Sequence, residues 1–283
     1  MEKYDLSIII PFYYGNDKLP KLLSSLKKAI ECTKQIKVEI IIVNDSPECQ
    51  IDKTKFETLN LRVITNKKNV GIHRARVNGI INAKGKYIFM IDQDDLVKEN
   101  VIKSQFLKIK DNDMIISNGF DENPLNYGKI YHSKKHQLKC LEKKYYLNIG
   151  CMIVSPGQCI IKKQAIPKEW LEYQVVNNGA DDLLLWVMML EKKKKIAINE
   201  EPLYIHTYSG ENVSCDFDKM EQSALEVINY LYHNKFVKDK EKNKFIKRLK
   251  MRKYYEGKSK FKKLIALIFF PTITYYLIKM KLE

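Results

Sequence analysis

The sequence of 283 residues lacks the signals of several common protein classes. Its six cysteines are scattered and none forms a C-x-x-C pair, which argues against a zinc site or a dithiol redox motif. The charged first residues and the short apolar run after them do not form a secretory signal, so we expect a cytoplasmic protein with reduced cysteines. There is no internal repeat, and the 45% hydrophobic content excludes global disorder.

Acidic residues are scarce in the last part of the chain. From Lys235 to the end there are 16 Lys and Arg against 4 Asp and Glu, a net charge of +12 within the total of +16. The first 234 residues therefore carry only +4. The basic character belongs to the tail and says little about the preceding body of the protein.

A short apolar strand that ends in three carboxylates stands at the centre of the sequence. Tyr87–Ile91 is rich in aromatic and β-branched residues, which indicates a buried strand, and Asp92, Asp94 and Asp95 follow it. Carboxylates there are costly to desolvate unless a positive charge compensates them, and a divalent cation is the simplest candidate. The alternative is an acidic turn in which Asp95 caps a helix over Val97–Lys110.

Strands and helices alternate before this motif, and this pattern predicts a mostly parallel sheet with helices on both faces. The predicted strands are Leu6–Ile10, Val38–Val43 and Leu61–Thr65, and the predicted helices are Lys18–Thr33 and Ile72–Ala83. Later in the chain, short strands are predicted at Cys151–Ser155, at Gln158–Ile161 and at Ile196–Ile198.

Two further polar side chains follow predicted strands. Asp45 comes just after the second strand, and in an open α/β sheet that position faces the same crevice as Asp92. Arg76 lies near the start of the next helix, where a cation is unfavourable unless an anion such as a diphosphate is near. The alternatives are a turn aspartate and a solvated surface arginine.

The segments S-I-I-I-P-F-Y, I-I-I-V-N-D-S-P and N-V-G-I-H-R-A-R, followed by the D-Q-D-D motif, together resemble the family 2 glycosyltransferases, which have a GT-A-type nucleotide-sugar domain. The resemblance implies a role for each matching residue. Pro11 and Tyr13 would border the base, Asp45 would bind it, and Arg76 would lie near the nucleotide. Asp92 and Asp94 would be the D-x-D motif, with Asp94 as the expected metal ligand and Asp92 or Asp95 as a further one.

A second acidic pair opens the apolar helix predicted over Leu183–Leu190. The segment resembles the family's G-x-E-D-x-x-L stretch, in which the aspartate is the general base, and this implies Asp182 as base with Asp181 in place of the usual glutamate. Helix capping is the structural alternative. His206, which ends a Y-x-x-H-like strand before Asn212-Val213-Ser214, would be a third metal ligand or a diphosphate contact; a structural histidine is equally compatible.

The tail begins near Asp216, so we divide the chain into a catalytic domain, 1–215, and a basic helical extension, 216–283. Lys235–Lys263 is rich in lysine, and Leu264–Ile278 is apolar. Fifteen helical residues reach only ~22 Å, short of the ~30 Å hydrocarbon core. We therefore predict an interfacial anchor on the inner, anionic face of the cell membrane, with a docked pair of helices as the alternative.

Together these features predict an inverting glycosyltransferase that uses a nucleotide-diphosphate sugar, UDP-sugar by resemblance, with Mn²⁺ or Mg²⁺. The acceptor would be a cell-surface glycan or a lipid-linked saccharide, and a homo-oligomer is left open. A sugar nucleotidylyltransferase would need a Gly-rich phosphate loop after the first strand, which Pro11–Asn16 lacks. A nucleic-acid-binding protein would explain the basic tail but not the buried acids, so we expect no nucleic-acid partner.

Overall fold

A computed structural model describes residues 3–52, 54–123, 127–208, 216–255 and 268–282. In this part of the chain, nine strands form one sheet in the order β3-β2-β1-β4-β8-β6-β9-β5, with β7 paired to β6. The strands are β1 (Tyr4–Phe12), β2 (Val38–Asn44), β3 (Leu61–Thr65), β4 (Gly85–Met90), β5 (Leu96–Val97), β6 (Met114–Asp121), β7 (Gly128–Lys129), β8 (Cys159–Lys162) and β9 (Ile196–His206).

The first half of the sheet is parallel, as the sequence predicted. β3, β2, β1 and β4 pair in parallel, and Pro11 of β1 lies opposite Val43 of β2. Because β1 and β2 are buried along nearly their whole length, they are apolar runs rather than alternating strands. The carboxyl ends of β1, β2 and β4 meet at one edge, and this edge carries the candidate site.

The second half of the sheet is mixed. β8 is antiparallel to both β4 and β6, whereas β9 runs parallel to β6 with shifts of register around Asn118. The prediction of a strand over Cys151–Ser155 is wrong, because those residues are irregular and lead into a 3₁₀ turn. The strand predicted at Ile196–Ile198 and the Y-x-x-H-like strand that ends at His206 are one continuous strand, β9.

Helices cover both faces of the sheet. They are α1 (Leu19–Glu31), α2 (Ile72–Asn82), α3 (Val101–Ile109), α4 (Lys134–Leu138), α5 (Lys143–Asn148), α6 (Lys168–Glu172), α7 (Asp181–Glu191), α8 (Phe217–His233), α9 (Asp239–Tyr255) and α10 (Pro271–Leu282). The helix predicted from Val97 begins only at Val101, because Leu96 and Val97 pair with β9 as β5. Asp95 therefore caps no helix. The α/β fold with a C-terminal helical extension is confirmed.

The C-terminal helices pack on the body of the protein. Asp216 caps α8 through a bond from the Lys219 amide, and the buried face of α8, including Val227 and Leu231, joins the main core. On α9, Phe245 and Leu249 do the same. The division at residue 216 stays a prediction.

The last described helix, α10, lies against the body on one side. Ile273 is buried, Tyr276 packs edge-on to Tyr145 of α5, and the Lys139 ammonium donates to the Lys279 carbonyl. Within the described ranges, no helix is both long and apolar enough to cross a membrane. Residues 256–267, which hold parts of the predicted basic and apolar stretches, lie outside the described residues, as do Asn212-Val213-Ser214.

Candidate active site

The three acids after β4 point in different directions. Asp95 is buried and accepts hydrogen bonds from the Tyr204 hydroxyl and from the Thr207 amide at 3.2 Å, so it ties the acidic loop to β9. Asp94 is only half-buried, and its backbone carbonyl accepts a bond from the Thr207 hydroxyl. Asp92 is also half-buried and pairs with Arg76 at 2.5 Å. Asp92 and Asp94 are thus the two acids with access to the crevice.

The acids disfavour one another's ionisation. Burial first, and the charge of Asp92 second, raise the pKa of Asp94 above its ordinary value. The same two causes raise the pKa of Asp95 well above that value. Three carboxylates crowded at one strand end form an electronegative site that a positive group would stabilise.

The predicted cation fits Asp92 and Asp94 by chemistry. Carboxylate oxygens are the hard donors that Mg²⁺ and Mn²⁺ take, and one or two of them suffice when substrate phosphates complete the shell. The described residues contain no group of three or more His, Cys, Asp or Glu side chains arranged to hold a metal on their own. Asp95 is committed to Tyr204. The roles of Asp92, Asp94, Asp95 and His206 as metal ligands stay predictions.

Arg76 joins the D-x-D loop to the helix of the candidate base. It is buried, its Nη2 lies 2.5 Å from Asp92 Oδ1, and its Nη1 lies 2.7 Å from Asp181 Oδ2. Burial acts to lower the pKa of Arg76, but the charges of Asp181 and Asp92 outweigh it and raise the pKa above its ordinary value. The guanidinium is therefore a permanent positive charge between two acids from distant parts of the chain.

Asp182 opens the buried helix α7 beside Asp181. Its Oδ1 accepts a 2.6 Å bond from the Leu183 amide, and its Oδ2 lies 3.5 Å from the Cys151 thiol. Burial first, then the charge of Asp181, raise the pKa of Asp182 to about 7. One oxygen is thus held by the backbone, while the other faces Cys151, which is exposed. The geometry suits a group that accepts a proton near neutral pH.

Both tryptophans of the chain lie close to this acidic pair. Trp170 on α6 donates from its indole nitrogen to the Asp181 carbonyl at 2.8 Å, and Trp186 lies one turn into α7. Both rings are fully buried. Trp170 also packs against His73 of α2, with the ring centroids 4.4 Å apart.

Helix α8 holds the loop that leads into α7. Glu226 accepts hydrogen bonds from the Tyr173 hydroxyl at 3.0 Å, from the Val176 amide at 2.7 Å, and from the amide and side chain of Asn177 at 2.9 and 2.7 Å. Ser223 accepts from the Ala180 amide at 3.0 Å. The start of the base helix is therefore positioned by the C-terminal extension.

Asp45 binds the loop before α2. Its Oδ1 accepts from the Asn66 side chain at 2.8 Å and the Val70 amide at 2.9 Å, and its Oδ2 accepts from the Gly71 amide at 2.9 Å. Gly71 has φ +84°, a conformation that few other residues adopt, and a β-carbon there would meet the Asn178 side chain at 2.6 Å. Asp45 lies at the carboxyl edge of the sheet, as its place after β2 predicted. Both of its carboxylate oxygens already accept hydrogen bonds from the protein.

The loop after β1 is tied to the middle residue of the D-x-D motif. Gln93 accepts from the Tyr13 amide and donates to the Tyr13 carbonyl, both at 2.9 Å. Pro11 is buried in β1, whereas the Tyr13 ring is 51% exposed over the crevice edge. The Tyr13 ring packs edge-on to Tyr14, and Gln93 fixes the Tyr13 backbone. The contact of Tyr13 with a base stays a prediction.

His206 ends β9 and pairs with an acid rather than with the D-x-D motif. Its Nδ1 lies 3.0 Å from Asp121 Oδ1. Burial acts to lower the pKa of His206, but the bond to Asp121 and the charge of Asp95 outweigh it and raise the pKa. The ion pair with Asp121 therefore supports the interpretation of His206 as a structural residue.

Sequence reasoning missed three residues of the site. Gln93 carried a usable signal, because it lies between the two aspartates of the motif. Cys151 and Glu226 carried none, since both reach the site from segments whose place in space the sequence does not reveal.

Comparison with known proteins gives the family. Residues 7–170 match the family described as "Glycosyl transferase family 2". Glycosyltransferase GlyG of Streptococcus pneumoniae is 29% identical over 152 residues, 49% of this chain and 46% of that protein. The poly(ribitol-phosphate) beta-N-acetylglucosaminyltransferase TarP of Staphylococcus aureus is 24% identical over 213 residues, 70% of this chain and 61% of that protein. The chain spans between a third and a half of the length of several curated relatives that it matches.

The fold is also shared with a solved structure. TarS residues 1–349 from S. aureus, in complex with UDP-GlcNAc, superpose with a TM-score of 0.61 at 18% identity, over 90% of this chain and 74% of that chain. The family match covers more than half of the sequence, and it includes the D-x-D motif, Asp45 and Arg76. On these grounds the chain belongs to the family 2 glycosyltransferases.

Proposed function

We propose that this protein is an inverting, metal-dependent glycosyltransferase that moves a sugar from a UDP-sugar to a hydroxyl of a cell-surface glycan or a lipid-linked acceptor. One observation carries the proposal: Arg76 bridges Asp92 of the D-x-D motif and Asp181 beside Asp182. This contact brings a candidate diphosphate site and a candidate base to one crevice, as a displacement at an anomeric carbon requires.

Asp182 is the general base of the proposed reaction. It removes the proton of the acceptor hydroxyl while that oxygen attacks the anomeric carbon from the face opposite the diphosphate. The new C–O bond forms as the bond to the diphosphate breaks, the diphosphate leaves with the electron pair, and the configuration inverts. A pKa of about 7 leaves a large deprotonated fraction at neutral pH while the carboxylate stays basic enough to accept a proton.

The donor would lie along the carboxyl edge of β1, β2 and β4. Asp45 and the loop it holds would contact the base, the exposed Tyr13 ring would cover it, and Asp92 and Asp94 would face the diphosphate. A bound Mn²⁺ or Mg²⁺ would supply positive charge to the leaving diphosphate. The ion pair with Arg76 would orient the Asp92 carboxylate toward the diphosphate.

The names of two similar proteins support the donor and the acceptor class. TarP is named for N-acetylglucosamine transfer to poly(ribitol-phosphate), and the TarS structure contains UDP-GlcNAc. These are properties of those proteins. For this chain they favour a UDP-sugar over other nucleotide sugars and a cell-surface polymer over a small acceptor.

The C-terminal extension is the proposed contact with the inner face of the membrane. Ile268, Phe269, Tyr275 and Ile278 are 53–74% exposed, whereas Ile273 is buried. The charge of +12 after residue 234 is complementary to anionic lipid. Substituting serine for Phe269 and Ile278 together should weaken binding to anionic liposomes without changing donor hydrolysis, and unchanged liposome binding would refute this surface.

The central test compares Asp182→Asn with Asp181→Asn. Donor binding is measured by calorimetry with UDP-GlcNAc, UDP-glucose and GDP-mannose, with Mn²⁺ or with EDTA. The Asp182 variant should keep donor binding and lose about 10²–10⁴-fold in transfer, because only the base is removed. Near-full turnover in that variant, with loss in the Asp181 variant, would move the base by one residue. Absence of binding to every nucleotide sugar would refute the proposed function.

A further inference from the structure

A groove lies between α1 and the edge of the sheet formed by β5, outside the crevice described above. Its volume is about 880 Å³, within the range of ligand-binding cavities. One wall is a single face of α1, and the other is β5 with the neighbouring residues of β6 and β9. The lining residues include Pro20, Lys21, Ser24 and Lys28 on α1, and Lys98 and Phe120 on the sheet.

Three lysines give this groove an excess of positive charge. Lys21, Lys28 and Lys98 have no carboxylate within ion-pair distance in the described part of the chain, and the Lys98 ammonium lies 5.7 Å from the centre of the Phe120 ring. Glu99 also lines the groove, so the net charge stays positive. An unpaired set facing one concave surface is suited to an anionic ligand.

The groove begins beside the reactive crevice. Leu96 in its wall directly follows Asp95, and Ile205 directly precedes His206. Helix α1 follows the loop of Tyr13, so its first turn lies at the crevice edge and its later turns lead away. At 1.5 Å per residue, Lys21 and Lys28 are about 10 Å apart along the helix axis. A single phosphate cannot contact both, whereas a chain with repeated anionic groups can.

We infer that this groove binds the acceptor, and that the acceptor is a chain bearing repeated phosphate groups. The inference rests on the proposed function, because it takes the crevice to be the site of sugar transfer. The chain would lie along α1, with its phosphates near the lysines and with its near end at the crevice edge beside Leu96 and Ile205. The hydroxyl of Ser24 and the ring of Phe120 supply a polar and an apolar contact for the chain between phosphates.

The probe for this inference is a synthetic glycerol-phosphate hexamer, titrated by calorimetry into the full protein with UDP and Mn²⁺ present to fill the donor crevice. We expect Lys28→Ala and Lys98→Ala each to weaken binding about two- to fivefold, and the double variant about tenfold. Binding should also fall as salt is raised. Lys27→Ala is the matched control, because it removes the same charge from the same helix on a face that does not line the groove, and it should leave binding unchanged.

Four results would overturn the inference. The first is that the groove variants bind the hexamer as tightly as the wild type, and the second is that Lys27→Ala weakens binding as much as they do. The third is that the wild type binds single glycerol phosphate as tightly as the hexamer, and the fourth is that it binds neutral maltohexaose as tightly as the hexamer. A soluble prenyl diphosphate that binds more tightly than the hexamer through the same lysines would also overturn it, and would assign the groove to a lipid-linked diphosphate.

Donor hydrolysis, measured in the same variants, separates this inference from the proposed function. The groove variants should hydrolyse the donor at the wild-type rate. If the donor is neither bound nor hydrolysed by any form of the protein, the proposed function fails whatever the hexamer does.

Discussion

Removing the Glu226 carboxylate should detach the loop before the base helix. In Glu226→Ala, the Tyr173 hydroxyl, the Val176 amide and the two donors of Asn177 lose their shared acceptor. The loop runs directly into Asp182 on α7. We therefore expect both the stability of the protein and the position of the base to change, although Glu226 itself touches neither substrate nor base.

The size of the effect follows from the number of bonds. A hydrogen bond to a charged group contributes about 1.5–3 kcal/mol when it is buried, and less where water can replace the acceptor. Val176 is 77% exposed, so water can hydrate part of the freed loop. We expect the free energy of unfolding to fall by about 2–3 kcal/mol. A shift of the base by about 1 Å can reduce kcat up to about 10²-fold, and donor affinity should change far less.

The pH dependence of stability gives a second test of the role of Glu226. Burial acts to raise the pKa of Glu226, but the hydrogen bonds from the Asn177 and Val176 amides outweigh it and lower the pKa below its ordinary value of 4.5. A carboxyl with a lowered folded-state pKa stabilises the protein above the unfolded value, and this contribution is lost as the pH falls through the folded value. The wild type should therefore lose stability relative to Glu226→Ala below about pH 4.5.

The assay is urea unfolding at about pH 7 and about pH 4, on either side of the ordinary glutamate pKa, together with kcat for transfer. Gln222→Ala, one turn earlier on the exposed side of α8, is the matched control and should behave as the wild type. Glu226→Gln should be intermediate, because an amide keeps one acceptor oxygen and turns a donor toward Asn177. Equal urea midpoints and equal kcat for the wild type and Glu226→Ala would refute the positioning role of α8.

Three further predictions concern the crevice itself. Since burial raises the pKa of Asp182 to about 7, kcat/KM should rise about tenfold per pH unit below pH 7 and level off above it; a flat profile from about pH 5.5 to about pH 8.5 would exclude this base. Arg76→Met leaves two acids without their buried partner and should lower the free energy of unfolding by about 3–5 kcal/mol in thermal denaturation, while an unchanged melting temperature would contradict the bridge. Asp94→Asn should abolish the Mn²⁺-dependent part of UDP binding in calorimetry without lowering stability, and equal binding with EDTA in the wild type would remove the metal role.

The first half of the fold was predictable because its signal is local. Buried parallel strands are apolar throughout, the helices between them show a clear period, and the carboxyl ends of such strands meet at one edge. Asp45 and Asp92 could therefore be assigned to one crevice from the order of the strands, whereas the place of Arg76 near the nucleotide came from the family resemblance. The family resemblance also selected Asp182.

The second half of the fold could not be predicted in this way, because it depends on contacts between segments that are distant in the sequence. Leu96 and Val97 have the apolar character of a helix start, yet they form β5 because β9 supplies a partner roughly a hundred residues later in the chain. The three acids of D-Q-D-D are equivalent in sequence, and only the turn of the backbone directs Asp95 inward to Tyr204. Glu226 lies in the segment 216–283, which the sequence analysis assigned to a separate extension. None of these contacts can be recognised from the pattern of neighbouring residues in the sequence.

The positions of the two tryptophans make intrinsic fluorescence a probe of the candidate base. Trp170 and Trp186 are the two indoles of the chain, and both lie within about one helical turn of the acidic pair that opens α7. Selective excitation of indole will therefore produce emission almost entirely from the surroundings of the candidate base. Rapid-mixing fluorescence could follow donor arrival, acceptor arrival and product departure in unlabelled protein, and substituting phenylalanine for one indole at a time would assign each phase to α6 or to α7.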